Sequence, residues 1–170
     1  MIKEIGAVLA ATLLLTACQP APLAQLGPDG KPLPQVYAIK PADTGRVTYS
    51  MVDSVNALRT TAGLAPLALN AQLTAAAATH SRDMSLQNRP WHFGSDGSSP
   101  ILRVARTGYP GHMLGENISE TYENEVQTLT AWMAAPDTRS VILDPKAHDV
   151  GFSWFQETGG KIWWTLVTGG

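Results

Sequence analysis

The sequence predicts an α+β domain built in layers, and three observations carry that expectation. Apolar residues recur at helical spacing through the first half of the chain from Val47 onward. Two runs rich in aromatic and β-branched residues, Val150 to Phe155 and Lys161 to Thr168, lie at the end. Gly159-Gly160 joins those runs as a turn, so they read as antiparallel neighbours. Helices first and antiparallel strands last is the order of an α+β fold. At 170 residues, 44% hydrophobic and 15% charged, the chain suits one globular domain with a proper core.

The first segment does not read as part of that domain. Lys3 gives a weakly basic start, and Ile5 to Leu15 is an apolar run too short to span a bilayer as a stable helix. It ends in Leu15-Thr16-Ala17-Cys18, small residues before a cysteine, which resembles a bacterial lipoprotein signal. Residues 1–17 are then the signal peptide, and Cys18 is the lipidated N-terminus of the mature protein. An ordinary secretory signal with a chance cysteine is the weaker alternative. Cys18 is the single cysteine of the chain, so the mature domain has no internal disulfide and no catalytic thiol. Residues 18–46 read as a Pro-rich tether, with Pro20, Pro22, Pro28, Pro32, Pro34 and Pro41 breaking any helix. The rival is a tail that packs on the domain through Val36, Tyr37 and Ile39.

Residues 47–170 are the domain. Met51, Val55, Leu58 and Ala62 define a first helix that Gly63 stops. Asn70 is the N-cap of a second, whose face carries Leu73, Ala76, Ala77, His80 and Met84 and which ends before Pro90. Ser98 or Ser99 caps a short third helix, with Pro100 in its first turn, and Gly108 ends it. Gly115 to Ser119 enters a strand. Tyr122 to Met133 is a fourth helix, closed by Pro136. In the terminal strands, alternation sets Phe152 and Trp154 on one face and puts Trp163 and Trp164 on opposite faces, with at least one of the adjacent tryptophans partly exposed. These aromatics are a platform for a lipid or glycan, or, more commonly, sheet core covered by helices.

The net charge of −2, with no Lys/Arg run, gives no footing for a nucleic-acid partner. The polar chemistry gathers in Trp91-His92-Phe93 and Gly115-Glu116-Asn117-Ile118, two turn-prone words between helical stretches. His80 shares the apolar face of its helix. It reads either as a cleft residue near His92 or, preferably, as a buried histidine satisfied by loop backbone. Arg59 and Asp83 read as ties between helices and loops.

A series of words now carries a resemblance. Asn56-Ala57-Leu58-Arg59, Gly63-Leu64-Ala65-Pro66-Leu67 and Ala77-Ala78-Thr79-His80-Ser81-Arg82-Asp83-Met84 come first. Trp91-His92-Phe93, Gly94-Ser95-Asp96-Gly97-Ser98-Ser99-Pro100, Gly115-Glu116-Asn117-Ile118, Trp132-Met133 and Ile142-Leu143-Asp144-Pro145 follow. Their order resembles the bacterial branch of the CAP superfamily, the SCP-like extracellular domains, over roughly residues 47 to 168. The resemblance implies an α-β-α sandwich with a small antiparallel sheet. It also implies a surface cleft lined by two histidines and two acidic residues, sometimes holding a divalent metal. His92 matches the first histidine and Glu116 the acidic residue of the Gly-Glu-Asn word. The usual Gly-His-Arg triplet is missing: Thr138 stands in the histidine's place, and Ala135 where a second carboxylate would be. The final strand reads Trp164-Thr165-Leu166 where the family often has Trp-Thr-Gln.

Together these readings predict a lipid-anchored protein of the bacterial cell envelope, on its periplasmic or extracellular face, held to the membrane through Cys18. A half-dismantled cleft of His92, Glu116, His80 and Thr138 would bind a small apolar or amphipathic ligand, or an envelope protein. No cofactor is expected. His92 and Glu116 are the candidate zinc ligands and supply two of the three protein ligands that a catalytic zinc needs, with His80, His112 or His148 as a third only if the fold brings one in. His92 and Glu116 are also the catalytic candidates of the alternative, a metal-assisted or acid/base hydrolase. No nucleophile accompanies them, and binding is preferred.

Overall fold

A computed structural model describes residues 37–170. The signal peptide, Cys18 and the tether up to Gln35 and Val36 lie outside the described residues. The described residues form five α-helices and one four-stranded sheet.

Helix α1, Thr44–Thr61, buries Val47, Met51, Val52, Val55 and Arg59 along one face. It starts ahead of Val47, after a 3-10 turn at Pro41–Asp43. Tyr37 and Ile39 pack on the core. The Tyr37 hydroxyl donates to Glu125 at 2.7 Å, and the Ile39 N–H donates to the Gln156 side chain at 2.9 Å. The tether predicted to run through Arg46 therefore yields to the fold by Tyr37, because these contacts hold the segment against the domain.

Asn70 caps α2, Ala71–Gln87, by accepting from the N–H groups of Gln72 and Leu73. Ala68–Leu69 just before it forms a two-residue strand, β1, which no sequence pattern announced. Ser99 caps α3, Pro100–Arg106, and Gly108 follows it at φ +74°. Strand β2 spans Met113–Thr121. Helix α4, Glu125–Ala134, begins later than Tyr122 because Asn124 and Gln127 build a capping box. Pro136 does close α4, but it also opens an unpredicted helix α5, Pro136–Ile142, where a missing N–H costs nothing at the first position.

Strands β3, Asp149–Gln156, and β4, Ile162–Gly169, pair antiparallel through the turn at Gly159-Gly160. The sheet order is β1-β3-β4-β2, with β1 parallel to β3 and β2 antiparallel to β4. Residues of α1, α4 and α5 share a core with Phe152, Trp164 and Leu166 on one face. Residues of α2 and α3 share a second with Val167 on the other. This is an α-β-α sandwich. Phe152 stacks on Trp164 at 5.5 Å between ring centroids, and Trp154 closes on both. Trp163 and Trp164 are both fully buried, which corrects the expectation that one would be partly exposed. Helices cover both faces of β4, so alternation leaves neither ring facing water. Gly151 lets α2 lie close on β3, since a Cβ there would run into the backbone of Leu73 and Thr74. That close approach brings His80, near the middle of α2, up to the sheet.

Candidate functional site

Glu116 lies on β2 opposite Val167 of β4, so its side chain shares the face covered by α2 and α3. It is almost wholly buried, with 3% of the side chain exposed. Three groups converge on it. The ring Nδ1 of His92 lies 2.8 Å from Oε1; a carboxylate only accepts, so Nδ1 carries the hydrogen and Nε2 is left as the free position. Nη2 of Arg103 donates to both oxygens, at 3.0 and 2.8 Å. His80 Nε2 stands 3.8 Å from Oε1, beyond hydrogen-bond reach, and donates instead to the carbonyl of Trp91 at 2.9 Å. His92 is the open member, half exposed, whereas Arg103 is 4% exposed and His80 not at all.

The structure thus brings His80, His92 and Glu116 together. His80 joins the two readings weighed from sequence: it is a buried histidine bonded to loop backbone, and it also lies under the cleft. Burial pushes its imidazole below the ordinary value of 6.5, against the opposing pull of Glu116. Its Nδ1 has no partner among the described residues.

Thr138 meets this site through the neighbour of Glu116. Side chains alternate along β2, and Asn117, next to Glu116, donates from Nδ2 to the carbonyl of Thr138 at 2.8 Å. The later residues of α5, Val141 and Ile142, pack in the core on the Asn117 side of this edge strand. The Thr138 hydroxyl donates to the Trp132 carbonyl at 2.6 Å and closes the end of α4. The hydrogen bonds of Thr138 run to Asn117, Trp132 and Ala135, and among the described residues none runs to His92 or Glu116. His112 and His148 are elsewhere, with backbone N–H groups bonded to Gly170 and Gly169 at the end of β4.

Arg103 is the functional residue that the sequence reading missed. It sits on α3 between Leu102 and Val104, and a lone arginine inside the apolar run Ile101 to Ala105 was the available signal. Its Nη1 donates to the carbonyls of His92, at 2.8 Å, and Ser98, at 3.1 Å. One guanidinium therefore joins β2 to both ends of the loop that carries His92. Asp83 on α2 steadies the same loop, accepting from the Ser95 N–H and hydroxyl, each at 2.6 Å. Asp96 accepts from Ser98 and from Arg106, and these bonds hold its carboxyl well below the usual range. The Ser95 hydroxyl is committed to Asp83, and that of Ser99 to the cap of α3.

One concave surface lies offset from the histidine. A groove of about 580 Å³ between α2 and α3 is bounded by Arg82, Asp83, Leu86, Ser95, Arg103 and Arg106; His92 and Glu116 do not line it. For a metal ion the cluster is a poor fit. Both Glu116 oxygens are taken by Arg103, and the His92 nitrogen nearest to them is a donor. Among the described residues, no group of three His, Cys, Asp or Glu side chains could hold a metal.

The fold and this site define a class: a small α-β-α sandwich domain that supports a histidine on a buried carboxylate beside the sheet edge. Residues 52–168 match the CAP family, the cysteine-rich secretory proteins, and the chain belongs to that family. The single cysteine, Cys18, lies outside the matched span. The chain is 28% identical over 123 residues to the uncharacterised protein YkwD of Bacillus subtilis, covering 72% of this chain and 47% of that one. It thus spans about half the length of that relative. An extracellular protein with an SCP domain from Bacillus anthracis shares the fold at a TM-score of 0.68 and 21% identity, over 78% of this chain and 44% of that one. An outer surface protein of Borrelia burgdorferi does so at 0.65 and 15%, over 75% of this chain and 94% of that one. A cysteine-rich secretory protein of Staphylococcus aureus gives 0.62 and 16%, over 85% and 44%. Among the described residues, no helix is long and apolar enough to cross a membrane.

Proposed function

We propose that this CAP domain is a non-enzymatic binding module of the bacterial cell envelope, anchored through a lipid on Cys18, that takes a small amphipathic ligand at the surface around His92. The observation that carries the reading is that Glu116 is buried and bonded within the domain. With the carboxylate buried and bonded to Arg103 and His92, the cluster offers a ligand one polar contact, the free edge of the His92 ring. Phe93 beside it, and Ile101 and Leu102 just before Arg103, are exposed and supply apolar surface. The secreted or surface character of the solved relatives supports the location.

The alternative, an acid/base hydrolase, has one observation in its favour. A histidine held at Nδ1 by a buried carboxylate, with Nε2 outward, has the orientation of a general base. Among the described residues, the Ser95 hydroxyl donates to Asp83 and the Ser99 hydroxyl oxygen accepts at the cap of α3, so neither is aimed at His92.

The binding reading is tested by titrating the domain with a single-chain amphiphile, such as dodecylphosphocholine below its micelle concentration, and following amide NMR shifts. We expect shifts centred on His92, Phe93 and Leu102 that His92→Ala and Phe93→Ser reduce. Shifts spread evenly over the surface, or confined to another face, would count against it. The anchor is tested separately: Cys18→Ser should move the protein from the membrane to the soluble fraction, and continued retention would contradict the lipid.

A further inference from the structure

We propose that Arg103 is the resident cation of this cleft, standing where a divalent metal ion would stand and excluding one. The argument begins with the carboxylate. A metal held by His92 and Glu116 needs an oxygen lone pair of Glu116 and a ring nitrogen lone pair of His92 aimed at one point. Here Arg103 Nη2 alone bridges both oxygens at 3.0 and 2.8 Å, a charge-assisted contact from one amino group. His92 Nδ1 spends its hydrogen on Oε1, so its lone-pair nitrogen, Nε2, points away from the acid. A third nitrogen, His80 Nε2, comes within 3.8 Å of the same oxygen but donates to the Trp91 carbonyl.

Without Arg103 two imidazoles and a carboxylate would remain, donor types that suit zinc once the rings turn their lone pairs toward Glu116. With it, the negative charge that would attract the metal is already neutralised inside the protein. The guanidinium is not a surface group that could swing aside. It is 4% exposed, and its other amino group is bonded to the carbonyls of His92 and Ser98. Displacing it would strand a buried cation and release the loop carrying His92. A metal ion that organises a loop and neutralises an acid performs the same two tasks, and Arg103 performs both covalently attached to α3. This inference holds whichever ligand the surface around His92 takes.

The test is a zinc chloride titration of the full chain by calorimetry, with His92 ring resonances followed by NMR, on wild type, His92→Ala, Arg103→Met and Arg103→Met/His92→Ala. We expect wild type to bind no more zinc than His92→Ala and its His92 ring signals to stay in place. Arg103→Met, once near-UV circular dichroism shows it folded, should gain about tenfold or more in zinc affinity. The double variant should lose that gain. Wild-type zinc binding that His92→Ala abolishes overturns the proposal, as does a folded Arg103→Met that gains nothing. Should Arg103→Met not fold, Arg103→Gln, which keeps donors for the two carbonyls, replaces it with the same expected gain. If neither variant folds, the wild-type ring signals decide alone: movement with zinc overturns the proposal and stillness supports it.

Discussion

Replacing Glu116 by glutamine separates a structural carboxylate from a catalytic one. The substitution keeps the shape and removes the charge. One amide oxygen can still serve His92, but the amide NH₂ must then face Arg103 Nη2, donor against donor, where an oxygen now accepts at 2.8 Å. Arg103, 4% exposed, would be left as a buried cation without its partner. Removing one member of a buried ion pair costs about 3–5 kcal/mol, because the remaining charge stays desolvated. The carbonyls of His92 and Ser98 still accept from Arg103 and soften the loss, so we take about 3 kcal/mol. For a domain of this size, 1 kcal/mol moves the melting temperature by about 3–5 °C, so Glu116→Gln should melt about 10–15 °C below wild type. The assay is thermal and urea unfolding followed by circular dichroism at neutral pH, repeated at high salt, which screens a buried pair little. A melting temperature within about 3 °C of wild type would refute the reasoning, since about 1 kcal/mol is what an exposed pair contributes. If that unchanged stability came with loss of an activity, the hydrolase reading would stand in its place.

Two further outcomes follow from buried groups. Arg59 is fully buried and donates to the carbonyls of Ala65, Ile142, Asp144 and Ala147, so Arg59→Met should cost about 3 kcal/mol or more and raise amide exchange between Ile142 and Ala147. A wild-type urea midpoint would contradict that. Burial of His80 lowers its pKa below 6.5, with Arg103 and His92 adding to the shift and Glu116 opposing it. Between the lowered folded value and 6.5 the unfolded chain binds more protons, so this contribution is complete above about pH 6.5 and is lost as pH falls through the folded value. His80→Gln, which retains an N–H for Trp91, should flatten unfolding stability against pH just below about pH 6.5, and equal slopes in the two proteins would contradict the account.

Much of the fold was legible because local chemistry dictated it. Asn70, Ser99 and Pro100 open helices for reasons confined to a few residues. Gly159-Gly160 turns β3 into β4 because Gly160 takes a φ of +90° that a side chain would oppose. Helix α5 was missed because Pro136 carries two meanings, stop and start, and the sequence supports both. The two-residue β1 has too few residues to show a period.

The site was legible only in part. His92 and Glu116 stood out as polar residues in turn-prone words, while Arg103 was hidden inside an apolar helix. Thr138 was placed beside them by analogy of order along the chain, and its hydrogen bonds run to Asn117, Trp132 and Ala135.

By itself, the sequence determined the helix caps, the aromatic strands, the single cysteine and the family, since each rests on short-range pattern or on the order of words. Only the tertiary structure decided that Glu116 is buried and bonded by Arg103, and that Asn117 beside it bonds Thr138. Those facts depend on which face of β2 each side chain takes and on how α3 lies over it. Packing between elements distant in sequence sets both, and no local preference encodes them.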